Sequence, residues 1–243
     1  DKYYTPFIPA AKRMNAKIKR DIDPINNDGI TLIPQAMSIV ADEVIDLHRQ
    51  LVPYGYDEIN VNLGCPSGTV VSKKRGSGIL AYPDMLDSFL DELYTKADFP
   101  VSIKTRVGFN DDELWPRLIE IYSKYPISEL TVHPRVQKDF YKNTPRMDDF
   151  ALAMQKINPD KTILCYNGDI TDTNSFNALT DCFPDIDEIM IGRGLFANPA
   201  LIAELKGISM DKAELRERLK NWHDEILSGY LSIFSGEKDA ISV

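Results

Sequence analysis

The sequence predicts an α/β chain of the (β/α)8 barrel (TIM barrel) class, with the first strand missing from the chain and part of a helical domain at its C-terminal end. Two observations predict it. Strand-like and helix-like segments alternate with a repeat of roughly 25 to 40 residues, the signature of parallel βα units. Seven strands are legible, and polar residues or glycine recur at their C-terminal ends: Gln35, Asn62, Lys104, His133, Asn167 and Gly192. In a barrel that rim gathers the active site. A doubly wound open sheet competes, but it would place ligands at one crevice and would not need polar groups at successive strand ends. Because a closed barrel needs eight strands, an apolar strand upstream of Asp1 is expected, and further helices are expected beyond the last one.

Tyr3–Ala10, aromatic and β-branched, reads as the first visible strand, followed by a basic and then Asn/Asp/Gly-rich connection over residues 11–29. Ile30–Gln35 is the second strand and ends on a polar residue. Apolar spacing then predicts a helix over 39–51. Asp57–Asn62 alternates as a strand. The stretch from there to Tyr82 is far longer than the usual two to six residues of a βα loop, and loops of that length are commonly functional. A helix over 83–96, a strand over 99–106 ending in Lys104 and Arg106, and a helix over 112–125 follow. The strand over 129–133 ends in His133. A helix over 148–157, a strand over 161–166 running into Asn167-Gly168-Asp169, a helix over 171–182 and a strand over 187–191 running into Gly192-Arg193-Gly194 complete the alternation. After Asn198-Pro199 the pattern changes, and residues 211–228 read as one long amphipathic helix. The expected organisation is a barrel over residues 1–200 and the start of a helical domain over 201–243.

Within the long loop, Leu63-Gly64-Cys65-Pro66 places a cysteine on a rigid turn at a strand end, since glycine permits a sharp turn and proline fixes the exit direction. Lys73, Lys74 and Arg75 follow it. A structural cysteine on an ordinary turn, a surface lysine at position 104, a hydrogen-bonded rim histidine at 133 and a solvated basic face at 73–75 are the plain alternatives, and each residue alone favours them. Glycine after the last two strands, with Arg193 as counter-charge, suits a phosphate. The net charge of −9 argues against general affinity for nucleic acid but leaves room for a local basic patch. Three widely spaced cysteines make neither a disulfide framework nor a zinc site, so no metal is expected. No window has the eighteen or so apolar residues of a membrane span, so the expected home is a reducing cytoplasm, without membrane contact and as a monomer.

Taken together, these strand ends resemble the tRNA-dihydrouridine synthases. The matching pieces are Gln35; Asn62-Leu63-Gly64-Cys65-Pro66 with Val70, Gly76 and Leu80; Ser102 to Gly108; His133-Pro134-Arg135 with Tyr141; Asn167-Gly168-Asp169; and Ile191-Gly192-Arg193-Gly194. Pro134 and Asp139 depart from the family pattern, which has a small residue and a glutamine there. The resemblance implies reduction of a uridine C5–C6 double bond in tRNA, with FMN as cofactor and NADPH as reductant. It implies that Cys65 protonates uridine C5 while hydride arrives at C6; thiols ordinarily titrate near ~8.5, so a cysteine is mostly an acid at neutral pH. By the same resemblance Gln35, Lys104 and His133 face the flavin ring, while Asn167, Gly168, Asp169, Gly192 and Arg193 hold its phosphate. Asn62 binds the uracil edge, and Arg135, Lys73, Lys74 and Arg75 contact the RNA. The base must leave its stack to reach such a pocket. Two rival readings stay open: a flavin barrel reductase acting on a free pyrimidine, of the dihydroorotate-dehydrogenase type, and a non-catalytic RNA-binding barrel.

Overall fold

The computed structural model describes residues 1–9, 13–209 and 211–233. The strands are β1 (Lys2–Tyr4), β2 (Ile8–Pro9), β3 (Thr31–Ile33), β4 (Gln35–Met37), β5 (Ile59–Leu63), β6 (Val101–Gly108), β7 (Glu129–Val136), β8 (Ile163–Tyr166) and β9 (Glu188–Ile189). Seven of them form one sheet in the order β2-β4-β5-β6-β7-β8-β9, every pair parallel. β1 and β3 form a separate parallel pair. The order follows the chain, as successive βα units require, and no ladder joins β2 to β9 among the described residues.

The expected strands over 3–10 and 30–35 are each cut in two by a proline, Pro6 and Pro34, which has no N–H to give a ladder. Thr5 stitches the break: its N–H donates to Ile33 O (3.1 Å) and its hydroxyl accepts from Gln35 N (3.0 Å). Gln35 therefore opens β4 rather than ending a strand. His133 is likewise not a strand end, because β7 runs on to Val136. Pro134 is tolerated there because the β7–β8 ladder stops at Val132 and the β6–β7 register shifts beside it. The connection over 11–29 contains a helix, Ala16–Ile22, whose N-cap Asn15 accepts from Ile18 N (2.9 Å). The long loop holds a short helix, Gly68–Val71, and a 3-10 helix, Gly76–Ala81.

The sheet strands are buried on both faces, with Ile59, Val61, Leu63, Ile103, Leu130 and Val132 sealed on one and the polar Asn60, Ser102 and Thr131 sealed on the other. Helices Ala41–Leu51, Pro83–Lys96, Trp115–Tyr122 and Met147–Lys156 bring Val44, Leu51, Leu90, Leu93, Leu118 and Phe150 to the same core. Lys2 on β1, which pairs with β3, reaches Glu129 on β7 (2.5 Å) and Glu188 on β9 (3.1 Å), so the two-stranded pair is tied to the far strands of the seven-stranded sheet. Tyr4 and Thr131 hydroxyls donate to the other Glu129 oxygen (2.9 and 2.8 Å). Despite burial, these donors hold Glu129 below the usual carboxylate range.

The chain divides into two units, Asp1–Gly168 with Thr180–Met190, and Asp169–Leu179 with Ile191–Val243. In the second unit, helices Arg193–Ala197, Leu201–Leu205 and Lys212–Ile233 follow one another. Along the last of these, Trp222 and Ile226 are exposed.

Asp149, in the first turn of helix Met147–Lys156, carries a buried Oδ2 with no hydrogen-bond partner among the described residues. Burial and the neighbouring Asp112 carboxylate push it up from 3.8 to about 6, against the pull of Arg146. The folded chain thus holds this proton more tightly than the unfolded chain. Its contribution to stability is complete below pH ~3.8 and is lost as the pH rises through about 6. The shift corresponds to about 3 kcal/mol before solvent screening and about 1–2 kcal/mol after it. Asp149→Asn is expected to raise stability by that amount at pH 8 and by much less at pH 4, read from urea unfolding at both values. Equal gains at the two pH values would contradict this.

Candidate active site

The turn after β5 is built by one side chain. Asn62 Oδ1 accepts from the N–H groups of Gly64 (3.1 Å) and Cys65 (2.9 Å), the local bonding that suits asparagine to turns. The other side of Cys65 is held from the 3-10 helix: Ser77 donates to Cys65 O from both its N–H (3.1 Å) and its hydroxyl (2.9 Å). Cys65 is half-buried, and its Sγ makes no hydrogen bond among the described residues. Gly76 fits beneath it with φ +54°, and a Cβ there would stand 2.7 Å from Cys65 O and 3.0 Å from Cys65 Cβ. Gly76→Ala is therefore expected to destabilise the fold by at least about 1–2 kcal/mol from the left-handed backbone alone, and to displace the cysteine. An unchanged urea midpoint would contradict this.

A one-way chain of amides runs inward from the turn. Asn62 Nδ2 donates to Gln35 Oε1 (2.6 Å), Gln35 Nε2 to Asn60 Oδ1 (2.8 Å), and Asn60 Nδ2 to Ser102 Oγ (3.1 Å). Because Asn62 Oδ1 faces two N–H donors, every amide orientation down the chain is set. The acceptor of Asn62 is thus engaged by the turn, and one amide hydrogen remains for a ligand. Asn60 and Ser102 received no role from the sequence, although Asn60 shares a strand face with Asn62 at a spacing of two.

Lys104 stands opposite Asn62 in the β5–β6 register. Burial and the Arg106 guanidinium push its ammonium down to about 8, with Cys165 opposing. No hydrogen-bond or ion-pair partner meets its Nζ among the described residues. Arg106 is sealed and carries a load the sequence left unassigned. Its Nε donates to Gly64 O (2.9 Å), Nη1 to Val136 O (3.0 Å) and Nη2 to Phe140 O (2.7 Å). It thereby ties the cysteine turn to the segment after β7.

His133 is buried, and its Nε2 lies 3.2 Å from Arg135 Nη1. Arg135 is only 1% exposed and gives Nε and Nη2 to Asn143 O (2.7 and 2.5 Å). From the sequence Arg135 is expected to contact RNA; here its guanidinium is turned inward onto its own loop. Of the basic run, Lys73 is exposed, Lys74 has φ +57° and sits over the Tyr82 ring (4.4 Å), and Arg75 is paired with Glu43 (3.1 Å). Arg75 is thus neutralised locally, leaving the two lysines on the exposed side.

Of the expected phosphate ligands, Asn167 and Gly168 lie in the first unit. Asn167 donates from its N–H to Val132 O (2.9 Å) and from Nδ2 to Met190 O (2.9 Å). A Cβ on Gly168 would overlap the Tyr166 hydroxyl at 2.0 Å, so any larger residue would have to displace the Tyr166 ring. In the second unit Arg193 Nη2 pairs with Asp169 Oδ1 (2.7 Å), and Gly192, the N-cap of helix Arg193–Ala197, has open space where a Cβ would stand. The structure thus brings together Gln35 and Asn62 by hydrogen bond, Lys104 with Asn62 by register, His133 with Arg135, and Arg193 with Asp169.

The sequence of the chain matches the profile of the family described as dihydrouridine synthase over residues 1–228. It is 32% identical over 197 residues to a probable tRNA-dihydrouridine synthase of Staphylococcus aureus (strain Mu50 / ATCC 700699), covering 79% of this chain and 56% of that protein. It is 30% identical over 192 residues to tRNA-dihydrouridine synthase B of Shigella flexneri, covering 79% and 58%. It is 29% identical over 168 residues to tRNA-dihydrouridine synthase B of Pasteurella multocida, covering 69% and 49%. The chain spans about half the length of these relatives.

Proposed function

The chain belongs to the dihydrouridine synthase family, and from that premise we propose that it reduces the C5–C6 double bond of a uridine in tRNA. Enzymes of this family are flavin-dependent. The observation that carries the reading is the half-buried Lys104 ammonium, unpaired among the described residues and in register with Asn62 at the cysteine turn. A desolvated cation without a partner is costly unless a ligand answers it. A flavin, whose pyrimidine ring gains negative charge on reduction, fits that need, and the amide N–H left over on each of Gln35 and Asn62 fits a carbonyl of such a ring or of uracil.

FMN is the form proposed, with Asn167 and Gly168 of the first unit for its phosphate and NADPH as reductant; when bound it would supply hydride to uridine C6. The protein's own contributions follow from its residues. Lys104 offsets negative charge in the pocket. The Asn62–Gln35–Asn60–Ser102 chain fixes which atoms donate and accept, so a pyrimidine edge is met by preset partners. Cys65 gives a proton to uridine C5, with its backbone clamped on both sides so that the thiol is held in place. Lys73 and Lys74, exposed in the loop that follows Cys65, offer charge for a phosphate backbone. No described helix is long and apolar enough to cross a membrane, and a cytoplasmic site of action, where tRNA resides, is proposed with it.

The test is anaerobic. The purified chain, loaded with FMN and reduced by NADPH, is mixed with unmodified tRNA or with free uracil or orotate. Reoxidation by tRNA alone is expected. Equal reoxidation by a free base would transfer the reading to free-pyrimidine reductases, and failure to bind flavin at all would remove it.

A further inference from the structure

We propose that Asp139 is a positioning residue that fixes the tautomer of His133 through the backbone of Asn143. It deepens the reading of His133 as a flavin-facing group, since a ring that can donate from only one nitrogen presents a defined edge to a ligand.

Asp139 is 5% exposed, yet its carboxylate is fully used. Oδ2 accepts from Val136 N (3.1 Å) and from Arg146 Nη1, and Oδ1 accepts from Asn143 Nδ2 (2.5 Å). A buried carboxylate with several charge-assisted bonds is a rigid anchor; despite its burial, Arg146 and Asn143 hold it below the usual carboxylate range. What it anchors is the carbonyl of Asn143, which takes both Nε and Nη2 of Arg135. That fork leaves Nη1 aimed at His133 Nε2, 3.2 Å away. An arginine can only donate, so Nε2 must accept and the proton of the neutral ring must sit on Nδ1. The same segment also touches the cysteine side of the site: Gln137 Nε2 donates to Pro66 O (2.9 Å), and Arg106 holds the carbonyls of Val136, Phe140 and Gly64. One carboxylate therefore sets a loop that braces both halves of the site.

The chain has three histidines, and one of them is an internal control. His48 Nε2 meets Asp57 O (3.1 Å), and a carbonyl can only accept, so His48 must carry its proton on Nε2, the opposite tautomer. The experiment is long-range 1H–15N NMR at pH 8 on the purified full chain with 15N-labelled histidine, for wild type, Asp139→Ala and Asn143→Ala. In wild type, His133 should show an unprotonated Nε2 and a protonated Nδ1, and His48 the reverse. In Asp139→Ala the two His133 nitrogen shifts should collapse toward their average as the tautomers mix, while His48 stays unchanged. Asn143→Ala removes only the side-chain tether and keeps the Asp139–Arg146 pair. It should move His133 in the same direction by less, and it decides the matter if the first variant does not fold. A protonated Nε2 on wild-type His133, or an unmoved His133 in the folded variants, would overturn the proposal. The readout is the histidine itself, so a chain that bound no flavin would sink the functional reading and leave this result standing.

Discussion

Cys65→Ala is expected to leave reduction of bound flavin by NADPH near its normal rate and to slow reoxidation by tRNA uridine by roughly 10²–10⁴, the usual worth of a positioned general acid. The split follows from what holds the residue. Asn62 binds its N–H and Ser77 its carbonyl, so the turn is made by the backbone and survives loss of the thiol. The Sγ has no hydrogen-bond partner among the described residues, so alanine orphans nothing in the protein. Serine should rescue little, because a hydroxyl is a far weaker acid than a thiol. Stopped-flow absorbance of the two half-reactions measures both rates. Unimpaired reoxidation would remove Cys65 from the chemistry, and loss of both halves would make its role structural.

Lys104→Met should move stability and cofactor affinity in opposite directions. Its ammonium is held down to about 8 by burial and by Arg106. A folded-state value below the unfolded one means that the folded chain releases this proton more easily. The ammonium is then a full burden below pH ~8, and the burden lifts as the pH rises from there to about 10.5. Methionine has similar reach without the charge, so at pH 7 the apoprotein should gain stability, up to about 3 kcal/mol. The gain should vanish near pH 10.5. Flavin affinity should fall about 10- to 100-fold, the loss of one charge-assisted contact at about 1.5–3 kcal/mol. Urea unfolding of the apoprotein and flavin titration test the two halves separately. A less stable variant would show that Lys104 has a partner in the folded chain, and unchanged affinity would exclude it from the cofactor pocket.

The sequence exposed the barrel class because strand-like segments alternate with amphipathic helices and because the strands themselves alternate, Ile59 and Val61 on one face and Asn60 and Asn62 on the other. Helix Pro83–Lys96 falls where the spacing predicts it, since proline at its first position and an apolar stripe mark both the start and the buried face. The strand interruptions at Pro6 and Pro34 were also written in the chain, but a proline in a strand reads as an edge or a break only once its neighbours are known. Asn62, Cys65 and Lys104 stood out because chemical groups recur at successive strand ends, a joint pattern that no one of them carries alone. Asn60 and Ser102 did not, because their importance lies in partners on other strands. Arg135 reads as a surface cation in the sequence for a related reason: its partners Asn143 O and His133 appear only in the fold. Asp139 was visible only as a departure from a family pattern. Its work, holding Val136, Asn143 and Arg146 together, is a matter of loop geometry that no spacing rule encodes.

The central claim is that this site reduces a uridine in tRNA, and the most direct measurement is made on the RNA. Transfer RNAs from cells lacking the gene, and from the same cells expressing wild type or Cys65→Ala, are digested and mapped by mass spectrometry. The account predicts that a uridine in the deletion strain lacks the mass of two hydrogens it normally carries, that wild type restores them, and that Cys65→Ala does not. Unchanged dihydrouridine at every position in the deletion strain would contradict it.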